Sequence, residues 1–156
     1  SYQVWATPYH SGSIDHWENT DELLEEFFGK VQNNGRLLKA IIKDQVKQGK
    51  KAYVYGASTK GNTMLQIWGL DNTLFTGAAE IHPDKIGRYT VGSNIPIVSE
   101  DDALADADIL FAPNFGFRDL FVKNLQPWLK AGGQLVFAMP EVEVIKYEEN
   151  STSDTT

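Results

Sequence analysis

The chain of 156 residues contains no cysteine. A disulfide scaffold and a thiolate zinc site are therefore both excluded. Positive charge is scarce: 14 Lys and Arg stand against 21 Asp and Glu, for a net charge of −7. That balance argues against a basic nucleic-acid-binding surface and against an anionic membrane as partner. No run approaches the ~20 apolar residues of a spanning helix, and the first residues lack a signal peptide's basic-then-apolar order. Together these absences fit the cytoplasm. The chain opens on Ser1 and not on Met, so an excised piece of a larger protein is expected.

What is present is enough for one ordinary domain: 42% of residues are apolar and 12% aromatic. Tyr2–Ala6 is a brief apolar run that reads as an edge strand. The stretch to Asn19 has loop chemistry, with Pro8, Ser11, Gly12 and Ser13. Residues 1–19 thus read as a linker or as the tail of a preceding domain. His10 and His16 fall in that loop without an obvious third ligand, which favours a polar loop over a metal site. Thr20-Asp21-Glu22 opens a long helix with acids in its first turn. Leu23, Leu24, Phe27, Phe28 and Val31, then Leu37, Leu38, Ile41, Ile42 and Val46, keep helical spacing. Core packing on a sheet is the favoured reading of that stripe. Asn33-Asn34-Gly35 is a candidate interruption, and Gly49 a candidate C′ residue.

From Lys51 the pattern alternates. Strands are expected at Ala52–Tyr55, Leu74–Ile81, Ile95–Val98, Asp108–Ala112 and Gln134–Met139. Helices are expected at Lys60–Leu70, Ser99–Ala105 and Phe117–Lys130. Val142–Ile145 alternates as a half-exposed edge strand would, and residues 148–156 read as a frayed acidic tail. Such alternation defines a single α/β domain over residues 20–147, its mostly parallel sheet covered by helices on both faces.

The stretch from Tyr55 to Thr63 is the chemical centre of the chain. A buried strand stops at Gly56, a small-residue loop follows, and a helix begins. Backbone N–H groups and a helix N-terminus then converge where a phosphate can sit. Gly56 and Gly61 have the spacing of an NTPase phosphate loop, and Thr63 fits, but Asn62 stands where the lysine must be. The dinucleotide fingerprint Gly-x-Gly-x-x-Gly fails because position 58 is Ser. What survives is looser. Ser58, Thr59 and Thr63 offer hydroxyls, Lys60 a charge, and Gly61 close approach. Glu80, at the end of the next strand, is placed to meet ribose hydroxyls. The competing reading is a plain strand-to-helix turn with Ser58 or Thr59 as its N-cap. These features alone weigh the two equally. The Gly- and polar-rich stretch from Lys85 to Pro96 is long for a compact domain, which favours a functional loop.

Tyr55-Gly56-Ala57-Ser58-Thr59-Lys60-Gly61-Asn62-Thr63, with Leu65-Gln66 and Gly69-Leu70, resembles the C-terminal domain of sugar C-methyltransferases. So do Pro83-Asp84-Lys85-Ile86-Gly87-Arg88-Tyr89-Thr90, Ile95-Pro96-Ile97, Phe117-Arg118-Asp119, and Gly132-Gly133-Gln134-Leu135-Val136-Phe137 with Pro140. The likeness runs from about Leu23 to Pro140. It implies a Rossmann-like domain that follows a cysteine-rich zinc module and an S-adenosylmethionine-binding methyltransferase domain. Such enzymes methylate a carbon of a nucleotide-linked 4-keto deoxysugar, typically a dTDP-sugar, held between the last two domains. The resemblance therefore implies that Ser58–Thr63 and Lys85, Arg88 and Tyr89 face the nucleotide-sugar diphosphate. It implies no catalytic residue, cofactor or metal in this chain, because S-adenosylmethionine and zinc belong to the other domains. The methyltransferase domain is the expected partner, in cis or in trans. The Pro113-Asn114-Phe115-Gly116 segment departs from the family's aromatic-rich exit loop. Two other readings stay open: a docking domain without a ligand, and an NAD(P)-binding domain.

Overall fold

A computed structural model describes residues 20–147 of the chain. The tail readings at 1–19 and 148–156, the edge strand at Tyr2–Ala6, and His10 and His16 lie outside the described residues. Helix α1 spans Thr20–Lys47, with Asp21 and Glu22 in its first turn and Lys47 in its last. Its end is a Schellman closure: the Gly49 N–H meets Val46 O at 3.0 Å and the Lys50 N–H meets Gln45 O at 3.1 Å. Gly49 sits at φ 82°, where a Cβ would be strained.

The helix runs unbroken through Asn33-Asn34-Gly35, contrary to the expected interruption. Tertiary contacts outweigh the weak local propensity of those residues. Asn34 is buried, and its Nδ2 donates to Ala138 O at 2.9 Å and to Pro140 O at 3.0 Å. Gly35 leaves room for the Trp68 ring, since a Cβ there would lie 2.2 Å from Trp68 Cδ1.

The sheet has six strands, β1 (Ala52–Tyr55), β2 (Gly77–Glu80), β3 (Ile97–Ser99), β4 (Ile109–Phe111), β5 (Gln134–Phe137) and β6 (Glu143–Ile145), in the order β3-β2-β1-β4-β5-β6. The first five are parallel; β6 is antiparallel on the β5 edge. Val54 pairs with Ala78 on one side and Phe111 on the other. Helices α2 (Thr59–Ile67), α3 (Glu100–Asp106), α4 (Arg118–Asn124) and α5 (Gln126–Lys130) make the connections.

Side chains alternate across the sheet and separate two cores. Val54, Ala78, Ile109, Phe111 and Val136 face α1 and α2 and pack with Leu38, Ile42, Leu65 and Trp68. Tyr53, Tyr55, Ala79, Leu110 and Leu135 face the other way, toward Ala103, Leu125 and Leu129. The domain is thus α/β with helices on both faces, as the alternation of elements predicts.

Most element ends shift by one to three residues from the sequence reading, and three differences matter for packing. Strand β2 starts at Gly77 and not at Leu74, because Asp71 Oδ1 takes the Thr73 N–H at 2.9 Å and the Leu74 and Phe75 N–H groups return to Asp71 O. The helix expected over Phe117–Lys130 is a 3-10 turn at Phe115–Phe117 followed by α4 and α5, with the break at Leu125 ahead of Pro127. The stripe on α1 is core at Leu38 and Ile42, with Val31, Ile41 and Val46 packed against it, while Leu37 is exposed. Leu23, Leu24, Phe27 and Phe28 are exposed, with Phe28 at 61%.

Candidate functional site

Strand β1 is the pivot of the topology. The chain leaves it toward β2 and β3 on one side, and returns to β4 and β5 on the other. In open parallel sheets the crevice at such a switch point, beyond the carboxyl ends of the strands, is the usual ligand position. The β1–α2 loop, singled out in the sequence, lies there.

Gly56 ends β1 at φ 99°, which only glycine adopts freely, and its N–H is held by Ala79 O at 3.1 Å. Ser58 is the N-cap of α2: its Oγ accepts the Gly61 N–H at 3.0 Å, and its carbonyl accepts Asn62 N–H at 2.9 Å. Gly61 packs against the exit of β4, where a Cβ would be 3.1 Å from Pro113 Cγ. The Thr59 and Lys60 N–H groups, first in the helix, have no acceptor among the described residues. Open amides at a helix start are a place where an anion can bind. The turn reading holds, since Ser58 caps α2, and the next two amides stay open.

The other loop side chains divide. Lys60 Nζ lies 4.5 Å from the centroid of the Phe115 ring, a cation–π contact across the β4 exit loop. Thr63 Oγ1 donates back to Thr59 O at 3.1 Å, so its hydroxyl proton is committed within the helix. Asn62, which replaces the NTPase lysine, has a buried Oδ1 without a hydrogen-bond partner among the described residues. Lys60 and Thr63 also line a second cavity, between α1 and α2.

Glu80 and Lys85 meet each other. The Glu80 carboxylate, 10% exposed, takes Lys85 Nζ at 2.9 Å and the backbone N–H groups of Ile81 and His82 at 3.0 and 3.1 Å. Burial alone would raise its pKa, but these donors outweigh burial and hold it below the ordinary carboxylate value. Lys85 Nζ also donates to Ala57 O at 3.2 Å. The pair thus pins the start of the Ile81–Pro96 excursion to the β1–α2 loop. Farther along, Gln66 Nε2 holds Val91 O at 3.1 Å, and Thr90 and Ser93 bond each other at 2.7 Å. Arg88 and Tyr89 are exposed on this excursion, and their side chains make no hydrogen bond to the loop among the described residues.

Beside the loop a crevice of about 450 Å³ opens between Tyr55, Glu80, Glu100, Leu120, Phe121 and Asn124. Tyr55 Oη bonds Glu100 Oε1 at 3.2 Å; burial first, then the Glu100 charge, raise the phenol's pKa far above its ordinary value and keep it protonated. Glu100, Leu120, Phe121 and Asn124 were not among the residues read from the sequence as ligand-facing. They come from separate elements, α3 and α4, and only the strand order brings them to one crevice. Glu100 itself continues from Ser99, whose Oγ caps α3 through the Asp102 N–H at 3.1 Å, as an acidic helix start should.

Fold and site together define a Rossmann-like domain with an open crevice at its switch point. Residues 15–140 match the family described as the C-methyltransferase C-terminal domain. The chain belongs to that family. It is also 29% identical over 126 residues to the C-methyltransferase NovU of Streptomyces niveus, a match covering 79% of this chain and 30% of that protein. The chain therefore spans less than a third of the curated relative's length. Among the described residues no three of His, Cys, Asp and Glu stand close enough to hold a metal ion. No described helix is long and apolar enough to cross a membrane.

Proposed function

We propose that this domain binds one part of a nucleotide-linked deoxysugar and leaves the methyl transfer to another domain, in cis or in trans, that carries S-adenosylmethionine. The observation that carries this reading is the coincidence at one point of two open α2 amides, the Glu80–Lys85 clamp and the adjoining crevice. The diphosphate sits on the Thr59 and Lys60 amides, with the Lys60 ammonium within reach. The nucleoside enters the crevice, where Phe121 and Leu120 offer an apolar wall and Asn124 and Glu100 offer polar edges. Binding without chemistry suits the protonation states of the lining groups: the Glu80 carboxylate is held charged and the Tyr55 phenol neutral. Neither is poised near neutrality for proton transfer. A dTDP-sugar and a zinc module elsewhere in the parent enzyme follow from the family resemblance, and a cytoplasmic setting from the acidic, cysteine-free composition.

The dinucleotide reading loses ground on Ser58, whose side chain occupies the first turn of α2 where the fingerprint needs glycine. Titration calorimetry with dTDP and a dTDP-sugar tests the proposal in the intact parent enzyme and in the domain. Lys60→Ala should weaken binding by about 1.5–3 kcal/mol, the range for hydrogen bonds to charged groups. Unchanged affinity in the Lys60→Ala enzyme, or NAD(P) binding in preference to the sugar nucleotide, would overturn it.

A further inference from the structure

The crevice at the switch point is lined by two carboxylates, Glu80 and Glu100, and by no Lys or Arg. Like charge repels an anion from it, so the group it suits is neutral and bears hydrogen-bond donors. Gly56 belongs both to the crevice wall and to the start of the β1–α2 loop. A Cβ on Gly56 would meet no atom within 4 Å, so the chain leaves open space there. In a nucleotide whose phosphates rest on the loop, the pentose is the part that adjoins them, and it is neutral and hydroxylated.

The two carboxylates differ in what they already hold. Glu80 stands at the end of β2, where an acid usually meets ribose. Both of its oxygens are engaged: Oε1 accepts from the Ile81 and His82 N–H groups, and Oε2 from Lys85 Nζ. Glu100 stands one strand farther out. Ser99 pairs with Glu80 across β2 and β3, and Glu100 follows it as the first residue of α3. Its Oε1 accepts from Tyr55 Oη at 3.2 Å, and its Oε2 accepts no hydrogen bond among the described residues. Tyr55 is 7% exposed, with its ring edge-on to Phe121 at 5.0 Å, so the phenol is a fixed post. We propose that Glu100 reads the pentose of the nucleoside, its open Oε2 accepting a hydrogen bond from a pentose hydroxyl, with Tyr55 as its positioning residue. On the nucleotide-sugar reading of this site, on which this inference rests, the acid that meets the pentose has moved one strand outward from its usual place, because Lys85 and two amides hold Glu80 as a clamp.

Titration calorimetry with dTDP and its 3′-deoxy analogue, in the intact parent enzyme, isolates this contact, because the 3′-hydroxyl is the one free hydroxyl of that pentose. The wild type should bind dTDP roughly 10- to 100-fold more tightly than the analogue, the weight of a hydrogen bond to a charged group. Glu100→Gln keeps the size and a partner for Tyr55, and should shrink that ratio to about threefold, the weight of a neutral hydrogen bond. Tyr55→Phe should shrink it too, with the analogue bound as by the wild type; a purely structural role would weaken both ligands alike. Glu80→Gln should leave the ratio unchanged. Equal binding of the two ligands by the wild type, a ratio that survives Glu100→Gln, or one that falls only with Glu80→Gln overturns the assignment to Glu100 while dTDP binding itself stands. Absence of dTDP binding by the wild type overturns the sugar-nucleotide reading with it.

Discussion

The Glu80–Lys85 pair makes the most demanding prediction. Two roles compete for Glu80: a free carboxylate that reads ribose hydroxyls, or an internal clamp. The structure commits it to three internal donors, and the same Lys85 ammonium reaches Ala57 O. Hydrogen bonds to a charged group contribute about 1.5–3 kcal/mol when buried, and exposed pairs about 0.2–1 kcal/mol. The carboxylate is 10% exposed but the ammonium 47%, so the pair falls between these limits. Glu80→Gln keeps the size and loses the charge, and should cost about 1–2 kcal/mol. Lys85→Met should cost about 1 kcal/mol, because it leaves the carboxylate with its two backbone amides. The double variant should be less destabilised than the sum, with a coupling of about 0.5–1.5 kcal/mol. Urea unfolding of the four proteins measures this, with unchanged slopes as the check that the unfolded state is the same. A coupling below about 0.3 kcal/mol, within ordinary additivity, would refute the clamp. So would a Glu80→Gln protein of unaltered stability that binds nucleotide sugar poorly, which is the signature of direct ribose contact.

Gly35→Ala sets a methyl 2.2 Å from the Trp68 ring, and should destabilise by about 1–3 kcal/mol as Trp68 and α1 move apart; thermal unfolding and Trp68 emission report it. Ser58→Ala removes the α2 cap and should cost about 1 kcal/mol, while Ser58→Asp should retain most of the stability. The pH dependence has a definite sign. Hydrogen bonds from Lys85 and the Ile81 and His82 amides outweigh burial at Glu80, and those from Arg118 act on Glu143, so both folded pKa values lie below the unfolded ones. Their contribution is complete above about pH 4.3 and is lost as pH falls through the folded values. On the alkaline side, burial and then the hydrogen bond to Asp106 push the Tyr53 phenol up to about 12. Its contribution is therefore complete below about pH 10 and is lost as pH rises to about 12. Unfolding midpoints measured across both windows check the two directions.

The sequence by itself determined the order of elements, the α/β class and the position of the loop. Those depend on local patterns: a short continuous apolar run at Ala52–Tyr55, three- and four-residue steps from Leu37 to Val46, and the Gly56 and Ser58 punctuation of one turn. The family motifs were legible for the same reason, since they cluster at the loop and at strand ends. Tertiary structure decided the rest. Asn33-Asn34-Gly35 reads as a helix breaker until Ala138, Pro140 and Trp68 occupy its flank. Glu80 and Lys85 are two separate candidate contacts in the sequence, and become one clamp only when the turn after β2 folds over Ala57. Glu100, Phe121 and Asn124 reach one crevice because the chain crosses from β3 to β4 past two intervening strands. The exposed half of the α1 stripe has the same spacing as the buried half. Hydrophobic periodicity records which face is apolar, whereas burial depends on what the sheet extends far enough to cover.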